Sequence, residues 1–114
     1  MDWFCIPQDG FAHAHLATAV ESIPSYIESC DMFVALVPSL RHESGHMCDY
    51  ESWLDRGWCR AELWCRQLST NANSGVIVVQ GADDASFLSP QTWIYRPVQL
   101  GDFTVESDRC RVMQ

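Results

Sequence analysis

Lysine is absent from this chain of 114 residues, so all seven basic side chains are arginines. Fifteen acidic residues outnumber them, and the formal net charge is −8 at pH 7. Nucleic acids and anionic membrane surfaces attract clusters of basic residues, and the chain contains no such run. We therefore expect no nucleic-acid partner. The composition favours a protein partner, or a small ligand held by a few arginines.

Long apolar segments and secretion signals are also lacking. The chain has no uninterrupted apolar run of about 18 residues, which a membrane-spanning helix needs. Its first ten residues lack the basic start and apolar centre of a signal peptide. We therefore expect no membrane insertion and a cytoplasmic location. The six cysteines are then expected to be reduced thiols. They are Cys5, Cys30, Cys48, Cys59, Cys65 and Cys110.

Several common site motifs do not occur either. The chain has no phosphate-binding glycine loop, no Gly-x-Ser-x-Gly and no aspartate ladder of an EF-hand. His42, His46 and Cys48 come nearest to a zinc site, because the two histidines would share one face of a helix. No Cys-x-x-Cys accompanies them. A small zinc-stabilised interaction domain is therefore the third of three functional hypotheses, and we predict no metal ligands.

Two continuous apolar runs indicate strands that are buried on both faces, the pattern of a parallel sheet. The first is Asp31–Pro38 and the second is Ser74–Gln80. A helical pattern around Trp58–Ser69 lies between them. Its apolar stripe is formed by Trp58, Ala61, Cys65 and Leu68. Strand, helix and strand in this order predict a βαβ unit with a right-handed crossover.

Weaker signals flank this unit. Trp3–Ile6 predicts a strand that ends at an Asp-Gly turn. Phe11–Ser29 predicts either two short helices or one helix kinked at Pro24. Thr92–Leu100 indicates a last strand, which its proline confines to a sheet edge. The fold class is therefore α/β, and residues 1–114 are expected to form one domain.

The segment Trp58-Cys-Arg-Ala-Glu-Leu63 resembles the Trp-Cys-x-x-Glu-Leu signature of TIR (Toll/interleukin-1 receptor) domains. In that family the signature follows a buried strand that ends in a Ser/Pro pair, which Leu36-Val-Pro-Ser39 matches. Ile6-Pro-Gln-Asp-Gly10 resembles the BB loop, which follows the family's second strand. The run Gly75–Val79 matches the next core strand.

The resemblance implies a flavodoxin-like, three-layer fold with a mostly parallel sheet. It is strongest over residues 1–82, where residues 40–57 form an insert, and residues 83–114 diverge. The chain begins at the match to the family's second strand. We therefore expect a TIR-like domain that lacks the first strand and helix. Three alternatives account for this: the chain is a truncated product, it re-pairs its sheet, or it borrows a strand from a partner.

The resemblance also implies two functions. Many TIR domains are signalling modules, including those of innate immunity, that associate with copies of themselves or with other TIR-like domains. Others hydrolyse NAD+ at the nicotinamide–ribose bond, and the glutamate that matches Glu62 is their catalytic residue. A carboxylate there stabilises the oxocarbenium-like transition state. We expect Glu62 near the N-terminus of its helix, where the helix dipole favours a carboxylate.

Six further residues are candidates for binding the substrate. They are Trp58, Arg41, Arg60, Ser39, Asp9 and Gly10. Trp58 could stack on a ring, and either arginine could pair with pyrophosphate. NAD+ would be a substrate, and no resident cofactor is expected. Self-association ranks first and NAD+ hydrolysis second, because the loop after the missing first strand helps to line the family's NAD+ pocket.

Overall fold

The computed structural model describes residues 18–70, 75–89 and 91–113. The helices are α1 (Ile23–Ser29), α2 (Tyr50–Asp55), α3 (Gly57–Gln67), α4 (Gln91–Ile94) and α5 (Glu106–Val112), with a 3-10 turn at Val98–Leu100. The strands are β1 (Phe33–Leu36), β2 (Leu40–Arg41), β3 (Met47–Cys48), β4 (Val76–Gly81) and β5 (Asp84–Phe87). The described part of the chain is therefore mixed α/β, as the sequence predicts.

The main sheet has three strands in the order β1-β4-β5. β1 and β4 are parallel, from Phe33 opposite Val76 to Leu36 opposite Val79, as the predicted βαβ unit requires. β5 runs antiparallel to β4. It follows β4 after a tight turn, and a connection that short permits only antiparallel pairing. The main sheet is therefore mixed in its described part, with one parallel and one antiparallel pair, where a mostly parallel sheet was expected.

The core lies on one face of this sheet, beneath α2 and α3. Its buried side chains are Ala35, Val37, Val76, Val78, Leu54 and Leu63. Leu54 and Leu63 are each 1% exposed, and burying such a side chain stabilises the fold by roughly 2 kcal/mol. Side chains alternate between the faces of a strand. Val34 and Leu36 therefore point away from this core, and both are exposed.

The N-terminal helical pattern takes the first of its two predicted forms. Residues 18–21 are helical, Ser22 forms a turn, and α1 restarts with Pro24 in its first turn. Proline is favoured there because the first turn of a helix does not use its backbone N–H groups. The predicted strand Trp3–Ile6 and the helical pattern before Thr18 lie outside the described residues.

Arg66 of α3 joins that helix to the connection between α1 and β1. Its guanidinium donates to the carbonyl oxygen of Cys30 at 2.7 Å and to that of Asp31 at 2.9 Å. A longer bond of 3.5 Å reaches the carbonyl of Ile27, within α1. The last carbonyls of a helix lack partners within the helix. The fully buried Arg66 therefore fixes the path of the chain from the end of α1 to the start of β1.

The C-terminal part differs from the prediction. Thr92–Leu100 forms α4 and the 3-10 turn instead of a strand. Pro97 lies immediately before that turn and accepts a bond from the Leu100 backbone N–H at 3.2 Å. A proline has no N–H for a sheet ladder, which favours the turn. In the part of the chain that the structure describes, no helix is long and apolar enough to cross a membrane.

Candidate functional site

Residues 40–57, which the resemblance predicts to be an insert, form the β2–β3 hairpin and α2 and lead directly into the Trp58–Leu63 segment. α2 begins with a capping box, in which Asp49 accepts from the Ser52 N–H at 3.0 Å and Ser52 accepts from the Asp49 N–H at 2.7 Å. Such caps stop a helix from starting earlier. α2 ends at Arg56, whose backbone is extended, and α3 starts at the next residue.

Glu62 lies on the second turn of α3, since the helix begins at Gly57. The expected position near the helix N-terminus therefore needs correction, because the dipole effect falls off within the first turn. Glu62 is half-buried and opens into a cleft of about 270 Å³ beside α1 and the start of β1. The other residues lining it are Ile23, Tyr26, Ile27, Cys30, Met32, Phe33 and Val34.

This cleft is mainly apolar. Glu62 is the one charged residue among its described lining residues, so no arginine there can pair with a pyrophosphate. Sites for small organic ligands usually measure roughly 300–1,000 Å³, and the cleft is smaller. Burial raises the pKa of the nearby Cys65 thiol, and the negative charge of Glu62 raises it further.

Trp58 and Trp64 line a different cleft, of about 400 Å³, between α1, α3 and α5. The predicted apolar stripe of α3 lies here, and Glu62 is not among the lining residues. The indole N–H of Trp58 donates to the Asp108 carboxylate at 3.2 Å, and that of Trp64 donates to the Arg96 carbonyl at 3.3 Å. The two tryptophans therefore anchor the C-terminal segment to α3.

Arg60 is buried and bonds within the protein. Its Nε donates to the Leu54 carbonyl at 2.6 Å and its Nη1 donates to the Pro97 carbonyl at 3.0 Å. Its Nη2 lies 3.5 Å from the Asp55 carboxylate. These bonds join the end of α2 to the C-terminal segment. They direct the guanidinium towards those elements, and Arg60 does not line the cleft of Glu62.

The remaining predicted ligand-binding residues are dispersed. Arg41 lies in β2 and Ser39 in the connection between β1 and β2, and both are exposed. Neither lines the cleft that Glu62 enters. Asp9 and Gly10 lie outside the described residues. The structure therefore brings Glu62 together with apolar residues of α1 and β1, and it does not gather Trp58, Arg60 or Arg41 around it.

His42, His46 and Cys48, the residues that come nearest to a zinc site in the sequence, lie on the β2–β3 hairpin instead of a helix face. The His42 N–H donates to the His46 carbonyl at 2.9 Å, and Gly45 takes the positive φ of +90° in the turn. The described residues contain no group of three or more His, Cys, Asp or Glu side chains arranged to hold a metal ion. No disulfide joins the described cysteines.

An exposed apolar surface surrounds the cleft of Glu62. We call it the α1–β1 surface and define it by Tyr26 (63% exposed), Met32 (60%), Val34 (44%) and Leu36 (65%). The first three line the cleft, and Leu36 follows Val34 on the same face of β1. Clustered exposed apolar side chains mark contact surfaces. The sequence prediction missed this surface because the β1 run was interpreted as buried on both faces.

Comparison of the chain with protein-family models, with curated proteins and with solved structures finds no match. The case for a function therefore depends on the Trp58–Leu63 segment and on the described geometry. That geometry offers two clefts beside α3 and the α1–β1 surface.

Proposed function

We propose that this chain is a TIR-like, flavodoxin-like domain that acts in cytoplasmic signalling by associating with a second copy of itself. The α1–β1 surface is the observation that carries the proposal. Four large apolar side chains are exposed there, next to a strand at the edge of the described sheet. Removing such side chains from water favours association by roughly 25 cal/mol per Å².

The position of β1 gives the contact a specific form. β1 pairs with β4 along one side, and its other side carries no strand within the described sheet. An open strand edge pairs readily with another chain. In the TIR strand order the unmatched first strand would lie on that side. A symmetric pair in which each copy presents its α1–β1 surface would cover both edges and the apolar side chains beside them.

Charge sets how strong this association can be. Each copy carries a formal charge of −8, and Glu28 and Asp31 are exposed near the surface. Two copies therefore repel each other, and salt screens that repulsion, with a Debye length of about 8 Å at physiological ionic strength. We expect weak, reversible dimers that become more stable as salt increases.

Sedimentation velocity over a range of protein concentrations, at low and at high salt, tests the proposal. The proposed behaviour is a weight-average mass that rises with concentration and rises further with salt. A mass that stays at the monomer value under every condition would remove the proposal.

NAD+ hydrolysis is the second candidate, and the observation that favours it is that Glu62 opens into a cleft. The carboxylate could stabilise a ribosyl cation there. The apolar lining, the small volume and the separate location of Trp58 and Arg60 argue against a complete NAD+ site.

Nicotinamide release from NAD+ by wild-type protein and by Glu62→Gln separates the two candidates. The self-association proposal predicts no release above a protein-free control. Release by the wild type that disappears in Glu62→Gln would instead establish the hydrolase.

A further inference from the structure

The β2–β3 hairpin brings together four side chains that can exchange protons. They are His42, Ser44, His46 and Cys48. The Ser44 hydroxyl oxygen lies 2.8 Å from His42 Nδ1 and 2.6 Å from His46 Nδ1. His46 Nε2 lies 3.5 Å from the Cys48 sulfur. The two imidazole rings stack with their centroids 4.6 Å apart, which holds His46 in position. This cluster is separate from the cleft of Glu62.

The Ser44 backbone N–H donates to His42 Nδ1 at 3.2 Å, so that nitrogen is an acceptor. The Ser44 hydroxyl lies within hydrogen-bond distance of both Nδ1 atoms and has one proton to donate. In the tautomer that carries its proton on His46 Nδ1, the Ser44 oxygen accepts from that N–H. His46 Nε2 then keeps its lone pair and can accept from the Cys48 thiol. The Cys48 thiol contacts its base, His46, and the Ser44 hydroxyl orients that base, as in other activated nucleophiles.

We infer that Cys48 is a nucleophilic thiol that forms mixed disulfides with small disulfides, with His46 as its base. Cys48 is half-buried and lines a third cleft, of about 220 Å³, that also includes Pro38, Trp53 and Arg56. The lining also includes Asp49, so the cleft offers a small disulfide an apolar wall with one cationic and one anionic residue. This inference does not depend on the proposed self-association.

The reaction is a thiol–disulfide exchange. His46 Nε2 takes the thiol proton, and the Cys48 sulfur attacks one sulfur of the disulfide RS–SR. The RS–SR bond breaks as the Cys48–S–SR bond forms. The leaving thiolate takes the bonding electron pair and then the proton from His46, and departs as RSH. Cys48 is oxidised to a mixed disulfide while one half of the reagent is reduced to a thiol.

The other described cysteines provide internal references. Cys59 is buried, and burial raises the pKa of Cys65, so both should react slowly. Cys110 is exposed and lies on α5, far along the chain from the hairpin. It therefore reports how fast an ordinary accessible thiol of this protein reacts.

The test exposes the reduced protein to 2-hydroxyethyl disulfide, a small disulfide, at neutral pH and follows each cysteine by peptide mass spectrometry. We expect Cys48 to react about tenfold faster than Cys110. His46→Asn should slow Cys48 to near the rate of Cys110 and leave Cys110 itself unchanged. The buried Cys59 should stay slow in the variant, which shows that the fold is intact. Ser44→Ala should slow Cys48 in the same direction by a smaller factor.

Two results would overturn the inference. One is a Cys48 rate no higher than that of Cys110 in the wild type. The other is a Cys48 rate that His46→Asn and Ser44→Ala both leave unchanged.

Discussion

Gly57 and Gly101 touch through their backbones at the start of α3. A Cβ placed on Gly101 would lie 2.5 Å from the Cα of Gly57 and 2.8 Å from its nitrogen. The Gly57 N–H donates to the Asp102 carbonyl at 2.8 Å, and the Asp102 N–H donates to the Asp55 carbonyl at 2.7 Å. The segment that follows α4 is thereby held against the helix that carries Glu62.

We predict that Gly101→Ala lowers the free energy of unfolding by about 1–3 kcal/mol, as overpacking does in other proteins. The added methyl group meets backbone, which cannot rotate aside. Chemical denaturation measures the effect. Gly75→Ala is the matched control, since its Cβ would meet Phe87 at an ordinary 3.6 Å. Equal stabilities of the two variants would show that the two glycines do not pack as described.

Replacing Arg60 should lower the free energy of unfolding, because its guanidinium bonds within the protein. Arg60→Met leaves the carbonyls of Leu54 and Pro97 without their donor, and an unsatisfied buried group costs about 1–3 kcal/mol. The exposed Arg41 serves as the control, and Arg41→Ala should change stability by at most about 0.5 kcal/mol. Thermal unfolding of both variants checks this. An Arg60→Met protein of unchanged stability that binds NAD+ less well would instead assign Arg60 to a ligand site.

The raised pKa of Cys65 should lower the free energy of unfolding at alkaline pH. Burial, and then the charge of Glu62, raise the pKa of its thiol in the folded state. The unfolded thiol ionises near pH ~8.5, whereas the folded thiol keeps its proton to higher pH. The unfolded state then binds fewer protons, and the free energy of unfolding falls as pH rises above that value.

Denaturation of wild type and Cys65→Ala at a series of pH values measures this contribution. The wild type should lose more stability than the variant between neutral pH and about pH 9.5. Parallel curves for the two proteins would mean that Cys65 ionises equally in both states.

The elements that sequence alone predicts are those with a continuous local pattern. The apolar runs at β1 and β4 and the stripe of α3 each follow from neighbouring residues, and the structure has all three. β5 was not predicted, because Asp84–Phe87 has no apolar run and depends on pairing with β4. The strand expected at Thr92–Leu100 is wrong because Pro97 favours a turn.

The candidate site was harder to predict for a related reason. The motif identifies Glu62, but the neighbours of that residue in sequence are not its neighbours in the cleft. Arg60 bonds to Leu54 and Pro97, and Trp58 bonds to Asp108, fifty residues along the chain. Such partners depend on tertiary packing. An apolar run also does not show which face of a strand stays exposed because no described helix covers it. Val34 and Leu36 of β1 are exposed in this way.

The most direct test of self-association compares two pairs of matched variants by sedimentation velocity. Tyr26→Ser and Met32→Ser alter the α1–β1 surface. Tyr95→Ser and Met113→Ser remove exposed side chains of the same types elsewhere, at 80% and 60% exposure. We predict that each α1–β1 variant raises the dimer dissociation constant about tenfold or more, while each control leaves it unchanged. Dissociation constants that change equally in both members of each pair, or in neither, would contradict the account.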